Sequence, residues 1–313
     1  MAEASIPVDL FNPGQVFACL GLLEAAEVLL GQAGGRFDWS DESNTRFHLR
    51  AQSDTNPVEV VLDFLAQAEP KAYVPPGFKK MVVKTDKNQK ERLLESYYQE
   101  GGKNYLEEKR FPSFPASKVE WTTLPIRLSS ANYPEVKLGH WVDGSSRDEF
   151  KLYAGNRSAL DITLAMLRGK PNKAQKANDE PGGIVQLWEE GRETLLKSPF
   201  DVLTPMGGSF NFDPRAAWTA IGAGYSPNEH KKIKIKSSPV VELLAAWGLE
   251  HARPKKDQKQ VRYAAWKEPL PLPLARVALA GVLVNCRARR FCFELGLSGK
   301  NKIVTFAHEE RYS

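Results

Sequence analysis

Apolar positions along this chain switch between a helical and an alternating period, and the switches predict its elements. Residues 6–11, Ile-Pro-Val-Asp-Leu-Phe, read as a strand. Asn12 then caps a helix whose first position is Pro13, where the missing N–H leaves no helical bond unmade. Val16, Leu20, Leu23 and Val28 stay near a 3.6-residue period up to Leu30, and Gly31 ends the helix. Short strands follow at residues 37–39 and 46–49, and Asn56-Pro57 opens a helix that runs through Leu65. The opening therefore predicts a β-α-β-β-α unit.

The texture changes between residues 71 and 118. One strand at 81–84 and one amphipathic helix sit among Gly-, Pro- and Lys-rich connections, which marks a basic insertion with loops near 101–103 and 112–117. Two strand-like runs follow at 119–128 and 136–143, and the alternation of Val136, Leu138 and His140 predicts a half-buried sheet. "FKLYAGNRSALDITLAMLRGK" reads as a strand, a turn at Gly155 and a helix. "KPNKAQKANDEPGG" is the linker expected between an N-terminal half at 1–170 and a C-terminal half at 184–313.

The second half opens with a helix at 184–196 and passes through "SPFDVLTPMGGSFNFDPRAAW", too rich in Gly, Pro and Phe for a regular element. An alternating lysine strand at 232–236 leads into a helix at 239–249. "HARPKKDQKQVRYAAW" reads as a basic connector, the later part of "PLPLPLARVALAGVL" as helix, and two strands at 290–295 and 302–308 flank the turn "GLSGKN". The order predicts an α+β protein of mixed sheets with flanking helices, two halves in one compact chain.

Charge adds what periodicity does not. Residues 1–70 carry 3 basic and 11 acidic side chains, residues 71–118 carry 11 and 6, and residues 231–302 carry 16 and 5. The last block has the electrostatic footprint of a phosphate-backbone binder; the plain alternative is a solvated basic face. No apolar run of about 18 residues predicts a membrane span, and "MAEASIPVDLF" lacks the layout of a secretory signal. Cys19, Cys286 and Cys292 have no paired spacing and read as reduced thiols of a cytoplasmic protein. His48, His140, His230, His251 and His308 are too scattered for a metal site, so neither metal nor other cofactor is expected.

No catalytic signature stands out. "GLSGKNK" lacks the spacing of a nucleotide-binding loop and reads as a tight turn, and "PMGGSF" has paired glycines without a helix directly after them. The paired carboxylates Glu107-Glu108, Glu189-Glu190 and Glu309-Glu310 read as solvated faces. The basic clusters are the informative feature. Alternation puts Lys232, Lys234 and Lys236 on one strand face and Ile233 and Ile235 on the other, giving a core side and a phosphate side. Lys255 and Lys256, then Arg287, Arg289 and Arg290, then Lys300 and Lys302 extend the set of expected nucleic-acid contacts. Edge-strand protection by lysine is the competing reading.

Four stretches, "VDLFNPGQVFACLGLLEAAEVLLG", "LYAGNRSALDITLAML", "GSFNFDPRAAWTAIGAGYSPNE" and "SPVVELLAAWGLEHARP", resemble an effector-complex protein of CRISPR systems of type I-U, also called I-G. The resemblance implies a non-catalytic subunit of a Cascade-like surveillance complex, in the large-subunit position. Its implied partners are CRISPR RNA, target DNA, the other Cascade subunits and a helicase-nuclease recruited in trans. Relatives grouped with repeat-associated RNA-binding proteins imply ferredoxin-like elements in the fold. The C-terminus departs from the large-subunit pattern, since it ends in strands rather than a helical bundle. Recognition of the protospacer-adjacent motif needs groove-entering side chains on loops, for which Asn156, Arg157, Ser209 and Asn211 are the candidates. Two rival readings remain: an RNA-processing endonuclease using His140 or His230 as general base, and a purely structural scaffold.

Overall fold

The structure is a computed structural model that describes residues 1–72, 83–85, 91–93, 126–139, 152, 159–169, 182–205, 208–216, 235–282, 286–298 and 301–310. Its N-terminal part contains β1 (Ala2–Pro7), α1 (Pro13–Leu30), β2 (Gly34–Asp38), β3 (Arg46–Ala51), α2 (Pro57–Gln67), β4 (Glu69–Ala72), β5 (Val83–Thr85), β6 (Glu91–Leu93), β7 (Ile126–Ser129), β8 (Val136–Leu138) and α3 (Ala159–Arg168). The remainder contains α4 (Ile184–Lys197), β9 (Thr204–Pro205), β10 (Lys236–Ser237), α5 (Pro239–Gly248), β11 (Lys255–Asp257), β12 (Gln260–Trp266), β13 (Leu270–Pro271), α6 (Leu272–Leu279), β14 (Ala288–Glu294), β15 (Gly296–Ser298), β16 (Asn301–Ile303) and β17 (His308–Glu309). Among the described residues, six helices and several small antiparallel sheets make an α+β fold with open sheets.

Helix α1 is the axis. The Asn12 side chain accepts a hydrogen bond from the Gln15 amide at 3.2 Å, Pro13 holds the first position, and Gly31 ends the helix at φ 75°. It is apolar on every side because it is surrounded: Val16, Phe17, Leu20, Leu22 and Leu23 are all fully buried. By length and composition α1 could cross a bilayer, but 78% of it is buried in the rest of the chain, as in a core helix.

Its closest partner is α5, and glycines set the distance. A Cβ on Gly21 would lie 1.9 Å from the Leu244 carbonyl oxygen, and one on Gly248 would lie 2.2 Å from that of Phe17. Two backbones in contact leave no room for a methyl group on either side.

Two sheets flank this helix pair. In the first, β1, β3, β2 and β13 lie side by side in that order, all antiparallel. The second runs β11, β12, β14, β17. Its inner face, Val261, Tyr263, Phe291 and Phe293, packs on α1, with the Phe17 and Tyr263 rings edge-to-face at 5.5 Å. The two sequence halves share a single core. Strand β13 completes a sheet begun by β1–β3, the Tyr263 hydroxyl donates to the Leu10 carbonyl at 2.7 Å, and the Trp266 indole N–H donates to Gly35 at 2.8 Å.

Several sequence-based boundaries move. The first strand is Ala2–Pro7 rather than 6–11, because Val8 to Phe11 turn into the α1 cap. The strand expected at 81–84 is Val83–Thr85, and those expected at 119–128 and 136–143 are described as Ile126–Ser129 and Val136–Leu138. The expected basic connector at 251–266 is instead the hairpin β11–β12, whose second strand is central to its sheet. The run expected as one strand at 302–308 is divided between β16 and β17, and β14 pairs with β12 on its other side. Most of the basic insertion and the linker lie outside the described residues.

Gly21→Ala is expected to lower unfolding free energy by about 3 kcal/mol, at the upper end of ordinary overpacking. Gly191 in α4, where an added Cβ meets nothing within 4 Å, is the control, and Gly191→Ala is expected to change stability by no more than about 0.5 kcal/mol. Urea unfolding midpoints of the two variants check the contrast.

Candidate nucleic-acid interface

The outward face of the second sheet gathers cations from separate strands. Hairpin register sets Lys255 opposite Arg262, and Arg262 opposite Cys292, while Arg290 sits one row along, opposite Ala264. Directly opposed residues share a face, and the period of two separates them from the buried Val261, Tyr263, Phe291 and Phe293. Asp257 pairs with Gln260 across a two-residue loop, and Gln258 takes the left-handed conformation such a loop needs, at φ 52°. That loop holds Lys255 and Lys259 out in solvent, with Lys256 half-buried between them.

Lys255, Arg262 and Arg290 border a groove of about 300 Å³, closed at one end by Gly281 and Val282 beyond α6 and at one side by Glu310. Arg262 Nε donates to Glu310 Oε1 at 2.8 Å, and that bond raises the guanidinium's already high pKa. Arg290 Nη2 reaches the Gly281 carbonyl at 3.4 Å. Three cations against one carboxylate leave the groove positive.

Much of the basic block's arginine charge is neutralised by the protein itself. Arg287 Nε bonds Glu268 at 2.8 Å, which with the Cys286 and backbone contacts holds that carboxyl down at about 2. Arg289 grips Glu309 with two bonds of 2.7 and 2.6 Å and lies 3.8 Å from Glu42. Arg276 binds Glu24 twice, at 2.6 and 2.7 Å. Glu24 and Glu42 belong to the acidic opening segment, so part of the charge asymmetry is internal complementarity. Lysines behave differently: Lys236, Lys255, Lys256 and Lys259 have no ion-pair partner among the described residues.

The sequence-predicted contacts therefore divide. Lys255 and Arg290 converge on the groove, Lys256 sits on the adjoining hairpin, and Arg287 and Arg289 are committed to carboxylates. Lys302 is exposed on β16, and Lys236 is exposed on β10, which pairs with β9. Lys232, Lys234 and Lys300 lie outside the described residues, as do Asn156 and Arg157. Ser209 and Asn211 are half-buried. Asn211, at φ 66°, donates its backbone N–H to the Ser209 hydroxyl oxygen at 2.8 Å and its side-chain N–H to the Leu152 carbonyl at 3.2 Å. Its side chain holds the loop together. Arg262, which the sequence reading passed over, lines the groove because "VRYAAW" is a strand rather than a connector.

The same loop and α5 share a buried acidic pair that periodicity did not flag. Asp213 accepts from Asn12 Nδ2 at 3.2 Å, from the Ser238 amide at 3.0 Å, and from Arg215 Nε and Nη2 at 2.9 and 2.8 Å. Asn12 and Ser238 are the caps of α1 and α5, so one carboxylate ties together two helix N-termini, where negative charge is favoured. Glu242, fully buried in the first turn of α5, accepts from the Asp213 and Phe212 amides at 2.9 and 3.3 Å. Burial first, and the Asp213 charge second, push its carboxyl up to about 7 against those amide bonds. With no exposed surface and no place in the groove lining, it holds structure rather than substrate. Among the described residues no group of three His, Cys, Asp or Glu side chains is arranged to hold a metal ion, and all three cysteines are free thiols.

No family model, curated protein or solved structure matches this chain.

A folded-state pKa raised to about 7 from the ordinary 4.5 of this side chain means that the folded protein binds this proton more tightly than the unfolded chain does. The resulting stability is fully present below pH 4.5 and lost as pH rises to 7, a change on the order of 3 kcal/mol. Glu242→Gln removes the titration and sets an amide N–H₂ against backbone donors. The variant is expected to be less stable than wild type at pH 5, with the gap narrowing by pH 7.5. Denaturant unfolding of both proteins across that range measures it.

Proposed function

We propose that this chain is a nucleic-acid-binding subunit that carries out no chemistry of its own and works in a Cascade-like CRISPR effector complex of the type I-U (I-G) class that it resembles in sequence. The observation that carries the reading is the convergence of Lys255, Arg262 and Arg290, from three strands, on one positive groove of about 300 Å³. Guanidinium forks donate to two phosphate oxygens at once, and lysine adds untargeted charge, so such a groove favours a phosphodiester backbone over any one base sequence. The exposed hairpin lysines and Lys236 extend positive charge beyond the groove.

In this reading CRISPR RNA and target DNA are the ligands, the other Cascade subunits are neighbours, a helicase-nuclease arrives in trans, and the setting is cytoplasmic. Reading of the adjacent motif falls to Asn156 and Arg157 rather than Asn211, whose amide is engaged with Leu152. The endonuclease reading rests on His140 or His230, both outside the described residues.

Counterion release supplies the test. Replacing Lys255 and Arg290 by Gln is expected to flatten the slope of log affinity against log salt by about 1.8 for duplex DNA and about 1.4 for single strands, equally for all sequences. Titrations at several salt concentrations measure the slope, and an unchanged one contradicts the groove assignment. Incubation with labelled repeat RNA is expected to leave it intact; cleavage abolished by substituting either histidine would replace this reading with the endonuclease.

A further inference from the structure

The acidic opening segment contains one concentration of positive charge. Residues 1–70 hold three arginines and one histidine, Arg36, Arg46, His48 and Arg50. Strand register sets all four on the same face of the first sheet: Arg36 lies opposite His48, Gly34 opposite Arg50, and residues 46, 48 and 50 alternate with the buried Phe47 and Leu49. Arg46 is occupied within the fold, donating to the Ser5 hydroxyl at 3.0 Å and the Ser5 carbonyl at 2.8 Å. The other three border a cavity of about 210 Å³, together with Glu3, Gly34 and Pro269.

Arg50 is held in place without being neutralised. A Cβ on Gly34 would lie 3.1 Å from Arg50 Nε and 3.7 Å from its Cγ, so the bare glycine is the seat on which this side chain lies across the neighbouring strand. Arg50 is exposed and has no ion-pair partner among the described residues. Arg36 Nη1 lies 3.3 Å from Asp38, which is itself satisfied by the hydroxyl and amide of Ser40 at 2.7 and 3.0 Å. His48 Nδ1 lies 3.1 Å from Glu3. Two guanidinium groups and an imidazole border the cavity with Glu3, while Asp38, 3.3 Å from Arg36 and 4.0 Å from His48 Nε2, leaves Arg50 as the cation without an ion-pair partner among the described residues.

We propose that this cavity is a binding site for a phosphate group, distinct from the groove on the second sheet and independent of its assignment. A seated guanidinium presents paired N–H donors to two phosphate oxygens, with the Arg36 fork and the imidazole as further donors. The cavity has room for a phosphoryl group, and two sources offer that chemistry: a strand terminus of a nucleic acid, or free phosphate.

Calorimetric titration of the full chain with inorganic phosphate tests the site. Wild type is expected to bind in a saturable, one-to-one manner, and Arg50→Gln to bind about tenfold or more weakly, as for loss of a charge-assisted bond pair. Arg36→Gln is the second probe and is expected to weaken binding in the same direction. Gly34→Ala keeps every charge but unseats Arg50, so weaker binding there separates positioned recognition from mere net charge. Lys197→Gln, at the exposed end of α4 and away from both clusters, is expected to leave phosphate binding unchanged. Absence of saturable binding to wild type, or undiminished binding to both arginine variants, overturns the proposal. Oligothymidylates with a 5′-phosphate or a 5′-hydroxyl distinguish the sources. A preference for the phosphorylated end that Arg50→Gln removes assigns the site to a strand terminus, whereas equal binding of the two alongside retained phosphate binding assigns it to free phosphate.

Discussion

The direct backbone contact between α1 and α5 is the constraint on which the rest of the fold depends. Gly21 and Gly248 bring Leu244 and Phe17 carbonyls where side chains normally stand, and no other residue fits either position without moving a helix. Asp213 fixes the same pair at their N-terminal ends by bonding the caps of both. Gly14 belongs to the arrangement, since a Cβ there would lie 2.5 Å from the Phe212 carbonyl. With the two helices locked, α1 offers one side to the first sheet and another to Tyr263 and Phe293 of the second. The C-terminal sheet, and the groove on its outer face, inherit their orientation from that packing.

Charge is distributed by the same logic. The acidic opening and the basic block meet through Arg276–Glu24 and Arg289–Glu42, which are half-buried on the arginine side. Arginine suits such contacts because its planar fork binds a carboxylate through two bonds, while lysine stays hydrated at the surface. The outcome is a division of labour. Arginines mostly join the fold together, and the hairpin lysines stay at the surface without ion-pair partners among the described residues.

Local signals were legible in the sequence wherever one residue type dictates a backbone state. Asn12-Pro13, Asn56-Pro57 and Ser238-Pro239 each start a helix where cap chemistry requires it, and α3 and α4 begin at the residues their periodicity marks. The long-range pairing was not legible. Strand β12 is buried along most of its length, so it lacks the alternation that advertises a strand, and its basic flanks resemble a connector. Missing β12 also hid Arg262 and the groove. Asp213 and Glu242 went unmarked because their meaning comes from residues about 200 and 30 positions away. Lys232 and Lys234 of the lysine stripe lie outside the described residues, and the basic side chains that converge on a cavity come from three later strands that only the fold brings together.

The proposed path of a nucleic acid is the outer face of the second sheet. Ultraviolet cross-linking of the purified chain to uniformly labelled single-stranded RNA and DNA, followed by peptide mass spectrometry, locates the contact directly. Cross-links are expected to concentrate in residues 253–263 and 286–294, around the β11–β12 hairpin and β14. Cross-links confined to the α2 and α4 surface, or none at low salt, would contradict it.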